Sequence, residues 1–470
     1  MNRTISRAGT LIAAICFLGF SVSCDDDEPP LPDNALTFSA SSAGLGDDDN
    51  EAEITLNASR PVASPVAVTL SLTTEGVAYG EHFTTVPAAQ GSTLVVTIPA
   101  NASSVSFKVV READVFLEGD ESITFVIVDA DDPVVIGGTA QVVLSFSSIV
   151  SEGAELTLNG ILGAESGASA GNSVFVDLSE NVQVPVARTS WDLGFYNGDD
   201  FRVIINYASG ATAVMVDKTD LSQVTAADID PDVLVAGLGQ GTLDIIDDPH
   251  GDLDNTVIAA VSETDSENKV YVINRVGGHG GIGPVEDLVK VRILRNDDGY
   301  TVQYAAINES EFATADISKG DTHNFEFFSF EEGKVSVEPA HDKWDFVWTW
   351  SMYFTGAPGN YIPYGFSDLV FVNHHGGTQA AEVMATGGVT YDGFGEDNLA
   401  GVTFEEGRST IGSGWRVTSP ADQAGVKTDR FYLIKDAAGN VYKLRFVSFH
   451  PGDGGTRGKP VIEYALVKKG

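Results

Sequence analysis

The sequence predicts an all-β protein, with an N-terminal β-sandwich followed by two β-rich repeats. Three observations favour this fold class. Short segments such as AEITLNAS and SVSFKVV alternate apolar with polar residues, which is the period of a strand that buries one face. Extended helical periodicity is absent between these segments. A series of strand-like blocks also recurs in the same order later in the chain, which indicates an internal duplication.

The first 24 residues have the layout of a secretory signal peptide. Arg3 and Arg7 precede the apolar run LIAAICFLGF, which is too short to span a bilayer as a mature helix. We expect residues 1–24 to be a signal that ends at Cys24, with an uncut N-terminal anchor as the alternative. Residues 25–34, DDDEPPLPDN, are predicted to form an acidic, proline-rich tether.

The segment around Cys24 resembles the lipobox of bacterial lipoproteins, whose cysteine is acylated. Small residues stand directly before the cysteine, with Ser21 in the place that leucine usually occupies. The acidic run after Cys24 resembles the export signal of Bacteroidota surface lipoproteins. The resemblance implies lipidation at Cys24 and a location on the outer membrane, exposed at the cell surface. Membrane contact would then be made only through the lipid anchor.

Charge and cysteine content exclude several classes of function. The chain has 67 acidic and 27 basic residues, a formal net charge of −40 at pH 7, so its surface repels nucleic acid. Of the two cysteines, Cys16 lies in the apolar run and Cys24 is the predicted lipid attachment site. A thiol nucleophile and a cysteine-rich zinc site are therefore not expected. HExxH, GxSxG and phosphate-loop motifs are absent in a supporting context, and we predict a protein that is not an enzyme.

Residues 35–148 are predicted to form the sandwich. The segments YGEHF, TLVVTIPANASSVSFKVV and LEGDESITF follow one another in an order that resembles the Calx-beta domain, which has an immunoglobulin-like fold. Some members bind calcium through acidic loops, because clustered carboxylates supply the oxygen ligands that calcium needs. The resemblance implies calcium candidates at Asp114, Glu118 and Glu121, while His82 replaces the family's corner aspartate. The alternative is a sandwich that serves as a spacer.

The internal repeat divides the rest of the chain into residues 155–310 and 311–470. Its matching blocks are VFVDLSE with FFSFEEG, SWDLGFYNG with KWDFVWTW, KVYVINRV with RFYLIKDAAG, LVKVRILRNDDG with VYKLRFVSF, and YTVQYAAI with PVIEYALV. Each copy has a Trp-Asp pair, at 191–192 and 344–345. We expect the tryptophans to fill the core. The aspartates are expected to fix a turn or to pair with a cation of the Lys-x-Arg strand.

These blocks resemble the HmuY-like family of Bacteroidota lipoproteins, whose characterised members are all-β haem-binding haemophores. The strands WDLGF and WDFVW, the Asn-Gly step and the late strand VYKLRF carry the resemblance, which covers residues 155–470 as two copies. It implies a cell-surface protein that binds a ligand without catalysis. Haem capture for iron acquisition, with transfer to an outer-membrane transporter, is the leading hypothesis.

Haem iron in a six-coordinate site needs an axial donor on each face of the porphyrin, which in this setting is His or Met. The axial candidates are His374 and His375 in VFVNHHGG, His279 in GGHGG, and Met352 in WSMYF. Neighbouring residues of a strand point to opposite faces, so we expect at most one of His374 and His375 to bind the iron. Each candidate also has a structural interpretation: NHHGG as a turn, GGHGG as a flexible loop and Met352 as a core residue.

The competing function is a surface adhesion, interaction or glycan-binding lipoprotein without haem. A His or Met pair at loop tips that reach one another would favour haem, and scattered histidines would favour the alternative. The acidic stretch DDPHGDLDN has metal-ligating residue types, but its spacing fits no EF-hand and favours a solvated loop.

Overall fold

Strands dominate the part of the chain that the structure describes. The structure is a computed structural model, and it describes residues 33–46, 49–112, 121–146, 151–237, 239–275 and 282–470. Its elements are β-strands and short 3₁₀ helices. The predicted all-β class is confirmed. None of the helices in these ranges is both long enough and apolar enough to cross a lipid bilayer.

The N-terminal part forms the predicted sandwich of two five-stranded sheets. Its strands are β1 (Asn34–Phe38), β2 (Ser42–Gly44), β3 (Glu51–Ala58), β4 (Val66–Glu75), β5 (Phe83–Val86), β6 (Thr93–Ile98), β7 (Ser104–Arg111), β8 (Ser122–Ala130), β9 (Val134–Ile136) and β10 (Gln141–Ser145). One sheet has the order β5-β7-β3-β1-β9 and the other β2-β10-β8-β4-β6. β1 begins at the last residue of the predicted tether, so the sandwich starts there.

Alternating side chains from the two sheets fill one core between them. Strand β4 shows the pattern clearly, because Val66, Val68 and Leu70 are fully buried and the residues between them are half-buried. Phe107 and Phe125 meet across the core with ring centroids 4.9 Å apart. The alternation of apolar and polar residues in the sequence therefore arises because every second side chain of a strand points into the core between the two sheets.

The remaining strands form four larger sheets and one small one. They are β11 (Gly153–Thr157), β12 (Asn172–Asp177), β13 (Val182–Ala187), β14 (Leu193–Tyr196), β15 (Val203–Ile205), β16 (Thr212–Val216), β17 (Val270–Asn274), β18 (Val289–Asn296), β19 (Gly299–Ala306), β20 (Ala313–Ser318), β21 (Phe325–Ser329), β22 (Gly333–Val335), β23 (Phe346–Ala357), β24 (Asn360–Val372), β25 (Gln379–Met384), β26 (Arg416–Val417), β27 (Gly425–Val426), β28 (Arg430–Lys435), β29 (Val441–Ser448) and β30 (Val461–Lys468). The sheet orders are β11-β30-β29-β28-β25, β13-β12-β23-β24, β15-β14-β21-β22, β16-β17-β18-β19-β20 and β26-β27.

Short 3₁₀ helices occupy several connections between these strands. They span Gly167–Ser169, Leu221–Gln223, Ala226–Asp228, Pro231–Leu234, Leu243–Ile245, Leu253–Asn255, Asp265–Glu267, Val285–Asp287, Glu396–Gly401, Ala421–Gln423 and Pro451–Asp453. Asp220, Asp230 and Asp252 each cap one of them by accepting a hydrogen bond from a backbone N–H. Much of the acidic content of the connections thus has a local structural role.

The strands of the first two matching blocks in each sequence repeat pair with strands of the other repeat. β12 pairs with β23, and β21 pairs with β14, in both cases antiparallel. The two tryptophans of the Trp-Asp pairs enter one shared core: Trp191 lies 4.9 Å from Phe327, and Trp344 lies 5.0 Å from Phe175, between ring centroids. The prediction that the tryptophans fill the core is confirmed. The boundaries at 155–310 and 311–470 stay a prediction from sequence.

The aspartates of the Trp-Asp pairs fix these crossings. The Asp192 carboxylate accepts a hydrogen bond from the Phe330 backbone N–H at 2.7 Å, and the Asp345 carboxylate accepts one from the Leu178 N–H at 2.7 Å. Asp192 also forms an ion pair with Arg275. The lysines of the late strands instead donate to backbone carbonyls, for example Lys290 to Val224 at 2.6 Å. The cation partner of Asp192 therefore comes from the end of β17, and the expected Lys-x-Arg pairing was wrong for this residue.

Candidate functional site

A tight turn follows β24, and its first residue holds it in place. Asn373 is buried, and its side-chain amide donates to the carbonyls of His341 and Trp344 at 2.7 and 2.8 Å. Its side-chain oxygen accepts from the Gly376 N–H at 3.0 Å, and Gly377 has a φ of +90°. Glycine takes such a φ without steric cost. The turn interpretation of VFVNHHGG is confirmed.

The equivalent turn after β15 has the same construction. The Asn206 side chain donates to the carbonyls of Arg188 and Trp191 and accepts from the N–H groups of Ala208 and Ser209. The segment NYAS thus occupies the place of NHHG in the other repeat. Tyr207 corresponds to His374, and the duplication in the sequence is the signal that could have identified this tyrosine.

Both turns contribute to one cavity of about 60 Å³. Space of this size holds a few water molecules or a small chemical group. Five aromatic side chains line it: Tyr207, Phe325, Phe327, Trp344 and Phe371. The polar lining includes His374, His375, Asn324, Glu338 and Arg408. An apolar wall with a few converging polar groups is typical of a small-molecule site.

The imidazole rings of His374 and His375 lie side by side against this cavity. Their centroids are 3.8 Å apart with a tilt of 38°. The His375 ring also lies 5.4 Å from Tyr196 and 5.6 Å from Phe325. The expectation that the two side chains point to opposite faces was wrong, because both residues lie in the turn beyond the end of β24 and strand alternation does not apply there. A porphyrin cannot fit between rings this close, so the two imidazoles cannot be its two axial ligands.

Burial sets the charge state of both histidines. Loss of hydration lowers the pKa of His374 to about 4, and the nearby Arg408 guanidinium adds to this effect. Burial, with His374 and Arg408 as further causes, lowers the pKa of His375 to about 3. Both imidazoles are therefore neutral at pH 7, which is the form that binds metal ions.

Arg408 brings a positive charge to the cavity. Its guanidinium carbon lies 4.4 Å from the Tyr207 ring centroid and 4.0 Å from that of Phe371, which places the cation over two aromatic rings. Burial lowers its pKa, but an arginine side chain remains charged in proteins. Nothing in the surrounding segment EEGRST distinguishes this arginine from a surface residue, and sequence reasoning missed it.

Two buried carboxyl groups lie close to the site. Burial raises the pKa of Glu338 to about 8, although its carboxyl accepts a hydrogen bond from the Phe325 N–H at 2.8 Å. Burial also raises the pKa of Asp247 to about 7, and its oxygens accept from the N–H groups of Ile205 and Val257. Desolvation outweighs the hydrogen bonds in both cases. At pH 7 Glu338 is therefore largely protonated.

Met352 lies away from the two histidines. Its side chain is 3% exposed and packs with Ala236, Ile245 and Ile246. The next residue of β23, Tyr353, packs on the other face, with its ring centroid 6.2 Å from that of Phe371. Because side chains alternate along a strand, Met352 faces away from the cavity. The structure brings His374 and His375 together but does not bring Met352 to them, and His279 lies outside the described residues.

The acidic stretch DDPHGDLDN uses its carboxylates locally. Asp248 accepts from the His250 N–H at 2.7 Å, and Asp252 accepts from the Asp254 N–H at 2.9 Å. The His250 ring lies 5.2 Å from that of Phe354 on the β23–β24 hairpin. Within the described ranges no group of three or more His, Cys, Asp or Glu side chains could hold a metal ion.

The structure describes only some of the residues predicted to bind calcium or to carry a lipid. Cys24, Asp114 and Glu118 lie outside the described residues. Glu121 is 9% exposed and packs against Gly76, where a Cβ would come within 2.7 Å of its Cγ. The imidazole of His82 accepts a hydrogen bond from the Ala78 N–H at 3.0 Å and so closes its own turn. Calcium binding stays a prediction.

Three of the solved structures that match this chain show weak similarity to it. The crystal structure of the apo-form Calx CBD1 domain is 12% identical and covers 25% of this chain and 97% of that chain, with a TM-score of 0.21. The crystal structure of calcium binding domain CBD12 of CALX1.1 is 10% identical and covers 36% of this chain and 78% of that chain, with a TM-score of 0.21. The E. coli chaperone DraB is 13% identical and covers 26% of this chain and 60% of that chain, with a TM-score of 0.18.

Comparison by sequence gives a clearer result. A search of curated proteins finds no match. The family described as HmuY protein matches residues 169–464 as one stretch, which includes both turns and all residues that line the cavity. The match extends over more than half of the chain and runs through both sequence repeats. The chain belongs to the HmuY protein family.

Proposed function

We propose that this protein is a non-catalytic surface lipoprotein that captures haem for iron acquisition. Membership of the HmuY family supports a binding protein. The observation that carries the proposal further is the pair of neutral, half-buried imidazoles at an aromatic cavity. Neutral imidazole is the axial ligand of ferric and ferrous haem in many binding proteins.

The residues present fit one half of an axial site. One of His374 and His375 would donate to the iron, and the other would stack against it as a positioning residue. The cavity of about 60 Å³ is too small for the porphyrin ring, so the macrocycle would lie outside it. Bound haem would supply the Soret and visible absorption bands, which shift when the iron gains an axial ligand. The protein residues bind and orient the haem, and no chemical step is proposed.

A haemin titration tests this function. The soluble chain from residue 25 onward is titrated with haemin and followed in the Soret and visible bands. We expect a saturable red-shifted Soret band, lost in whichever of His374→Ala and His375→Ala removes the axial donor. The variant His82→Ala, in the N-terminal sandwich, is the matched control and should bind as the wild type does.

One outcome would contradict haem capture itself, and another would contradict the assignment of the axial donor. A featureless titration would favour the adhesion or glycan-binding alternative. A normal titration in both turn variants would show that haem binds elsewhere, with Met352 and His279 as the remaining predicted donors.

The proposed location, lipid-anchored at the outer membrane and exposed at the cell surface, rests on Cys24 and the segments around it. Labelling of the expressed protein with a radioactive fatty acid should mark the wild type but not Cys24→Ser. Protease treatment of intact cells should then remove the protein, because we propose that it faces outward. Label that persists in Cys24→Ser would contradict lipidation at this residue. Transfer of haem to an outer-membrane transporter would follow capture.

A further inference from the structure

One buried donor at the cavity has no hydrogen-bond partner. Trp344 is 8% exposed and lines the cavity, and its indole N–H finds no acceptor among the residues that the structure describes. Buried indole N–H groups usually have a partner, because the loss of a hydrogen bond to water is otherwise uncompensated. Trp344 thus brings an unused donor to the wall of the cavity, where an entering acceptor would satisfy it.

The carboxyl groups of Asp247 and Asp248 act on the charge of Arg408, but from beyond ion-pair distance. None of the ion pairs formed among the described residues includes Arg408. Its guanidinium packs instead between the rings of Tyr207 and Phe371. Such packing holds the side chain in place, and a hydrogen bond to the Tyr207 hydroxyl uses only part of the five N–H donors of a guanidinium.

The neighbouring carboxyl groups do not fill this role. Glu338 and Asp247 use their oxygens on backbone N–H groups, and burial raises the pKa of both carboxyls. Glu338 is largely uncharged at pH 7. The neutral imidazoles add no negative charge either. The cavity thus combines one cation with one unused N–H donor, which is the complement of an anionic oxygen acceptor.

We propose that this cavity binds a carboxylate group, with Arg408 supplying the opposite charge and the Trp344 indole donating a hydrogen bond. A volume of about 60 Å³ limits the occupant to a carboxylate on a short stem. Two sources share this chemistry: a propionate arm of a porphyrin, or a free short-chain carboxylate. The porphyrin source rests on the proposed haem capture, whereas the free source does not.

Calorimetry with sodium propionate tests the pocket itself. We expect saturable binding to the chain from residue 25 onward, with a dissociation constant of about 1–10 mM, a range reasonable for so small a ligand. Propionamide, which has the same shape without the charge, should bind at least about tenfold more weakly. Arg408→Gln should lose propionate binding, whereas Arg188→Gln, the matched control at a half-buried arginine beside Trp350, should retain it.

A second variant tests the pocket independently, in case Arg408→Gln does not fold. Trp344→Phe keeps a ring in the core but removes the indole N–H, and it should weaken propionate binding by about three- to tenfold. Thermal unfolding of every variant reports whether the fold is retained. If Trp344→Phe and Arg408→Gln are folded and still bind propionate normally, the proposal is overturned.

The source of the carboxylate is tested with haemin and its dimethyl ester, whose propionates are blocked. For a porphyrin arm, wild type should prefer haemin by about tenfold or more, and Arg408→Gln should abolish this preference. Equal affinity for both compounds, together with propionate binding, would assign the pocket to a free carboxylate. Propionate binding without any haemin binding would support the pocket while contradicting haem capture. If haemin and its dimethyl ester bind equally and propionate does not bind, the carboxylate proposal is overturned and the cavity holds only water. Haem capture is not contradicted by that result.

Discussion

At the scale of single residues, burial controls the ionisation of the groups around the cavity more strongly than hydrogen bonds do. Glu338 shows this most clearly, because its carboxyl accepts a backbone hydrogen bond and still has a pKa raised to about 8. A carboxyl that is protonated when folded and ionised when unfolded links stability to pH. Protons bound only in the folded state make the protein less stable as pH rises.

We predict that Glu338→Gln changes this pH dependence. In the wild type, the free energy of unfolding should fall by up to about 1.4 kcal/mol per pH unit between the unfolded pKa and about pH 8, because only the folded state binds the proton. The glutamine variant lacks this loss. Its stability relative to the wild type should therefore increase between about pH 5 and about pH 8 in denaturant unfolding.

Glu332→Gln is the matched control for that measurement. Glu332 is exposed, so its replacement should leave the pH profile of unfolding unchanged. A constant stability difference between Glu338→Gln and the wild type across this pH range would contradict the assignment of a protonated Glu338.

At the scale of the elements, the two crossings between repeats use the same hydrogen bond in different electrostatic settings. Asp192 forms two hydrogen bonds with the Arg275 guanidinium, at 2.7 and 3.0 Å, besides accepting from a backbone N–H. Asp345 is 3% exposed, and burial raises its pKa well above the ordinary value, with Asp177 adding to the shift. The first carboxylate is held in an ion pair, whereas burial disfavours the ionised form of the second.

We predict that the two asparagine variants differ in cost. Asp192→Asn should destabilise the HmuY-like part by about 2–4 kcal/mol, because it leaves the Arg275 charge without its buried partner. Asp345→Asn should cost less, below about 1 kcal/mol, because burial already disfavours the charged carboxylate and an amide of the same shape can still accept from the Leu178 N–H. Denaturant unfolding measures both, and each variant controls for the other. Equal losses, or a larger loss in Asp345→Asn, would contradict this assignment.

At the scale of the whole molecule, the cores divide the chain differently from the sequence repeats. The sandwich core is drawn from residues 36–146. A second core runs from residue 158 to residue 464, and the core around Trp191 and Trp344 also takes side chains from both repeats. The sandwich can thus form its core alone, whereas these two cores need side chains from both repeats.

We predict two kinds of behaviour when the chain is divided. Residues 33–148 expressed alone should unfold cooperatively in calorimetry, because their core is complete. Residues 151–320 and 321–470 should each lack a cooperative transition alone and regain one when mixed, since β12 and β21 pair across the cut. Cooperative unfolding of either half alone would contradict the crossed arrangement.

Much of this architecture could be predicted from sequence, but the pairing across repeats could not. The period of two identifies the strands, and repeated blocks identify the duplication, because both are local patterns. The partner of β12 is not a local property, since either β14 or β23 would satisfy the same alternation. The histidine pair was found, but its geometry depends on where β24 ends. Arg408 could not be identified from sequence, because its position at the cavity depends on packing against the rings of Tyr207 and Phe371, which are distant in the chain.

The central claim is that a neutral imidazole from the turn after β24 binds haem iron. The most direct measurement is the haemin affinity of the wild-type chain at about pH 7.5 and about pH 5.5, followed in the Soret band. Because burial lowers the pKa values of His374 and His375 to about 4 and about 3, the affinity should change by less than about threefold. An ordinary histidine would lose about tenfold over this interval. A tenfold loss, or no saturable band at either pH, would contradict the account.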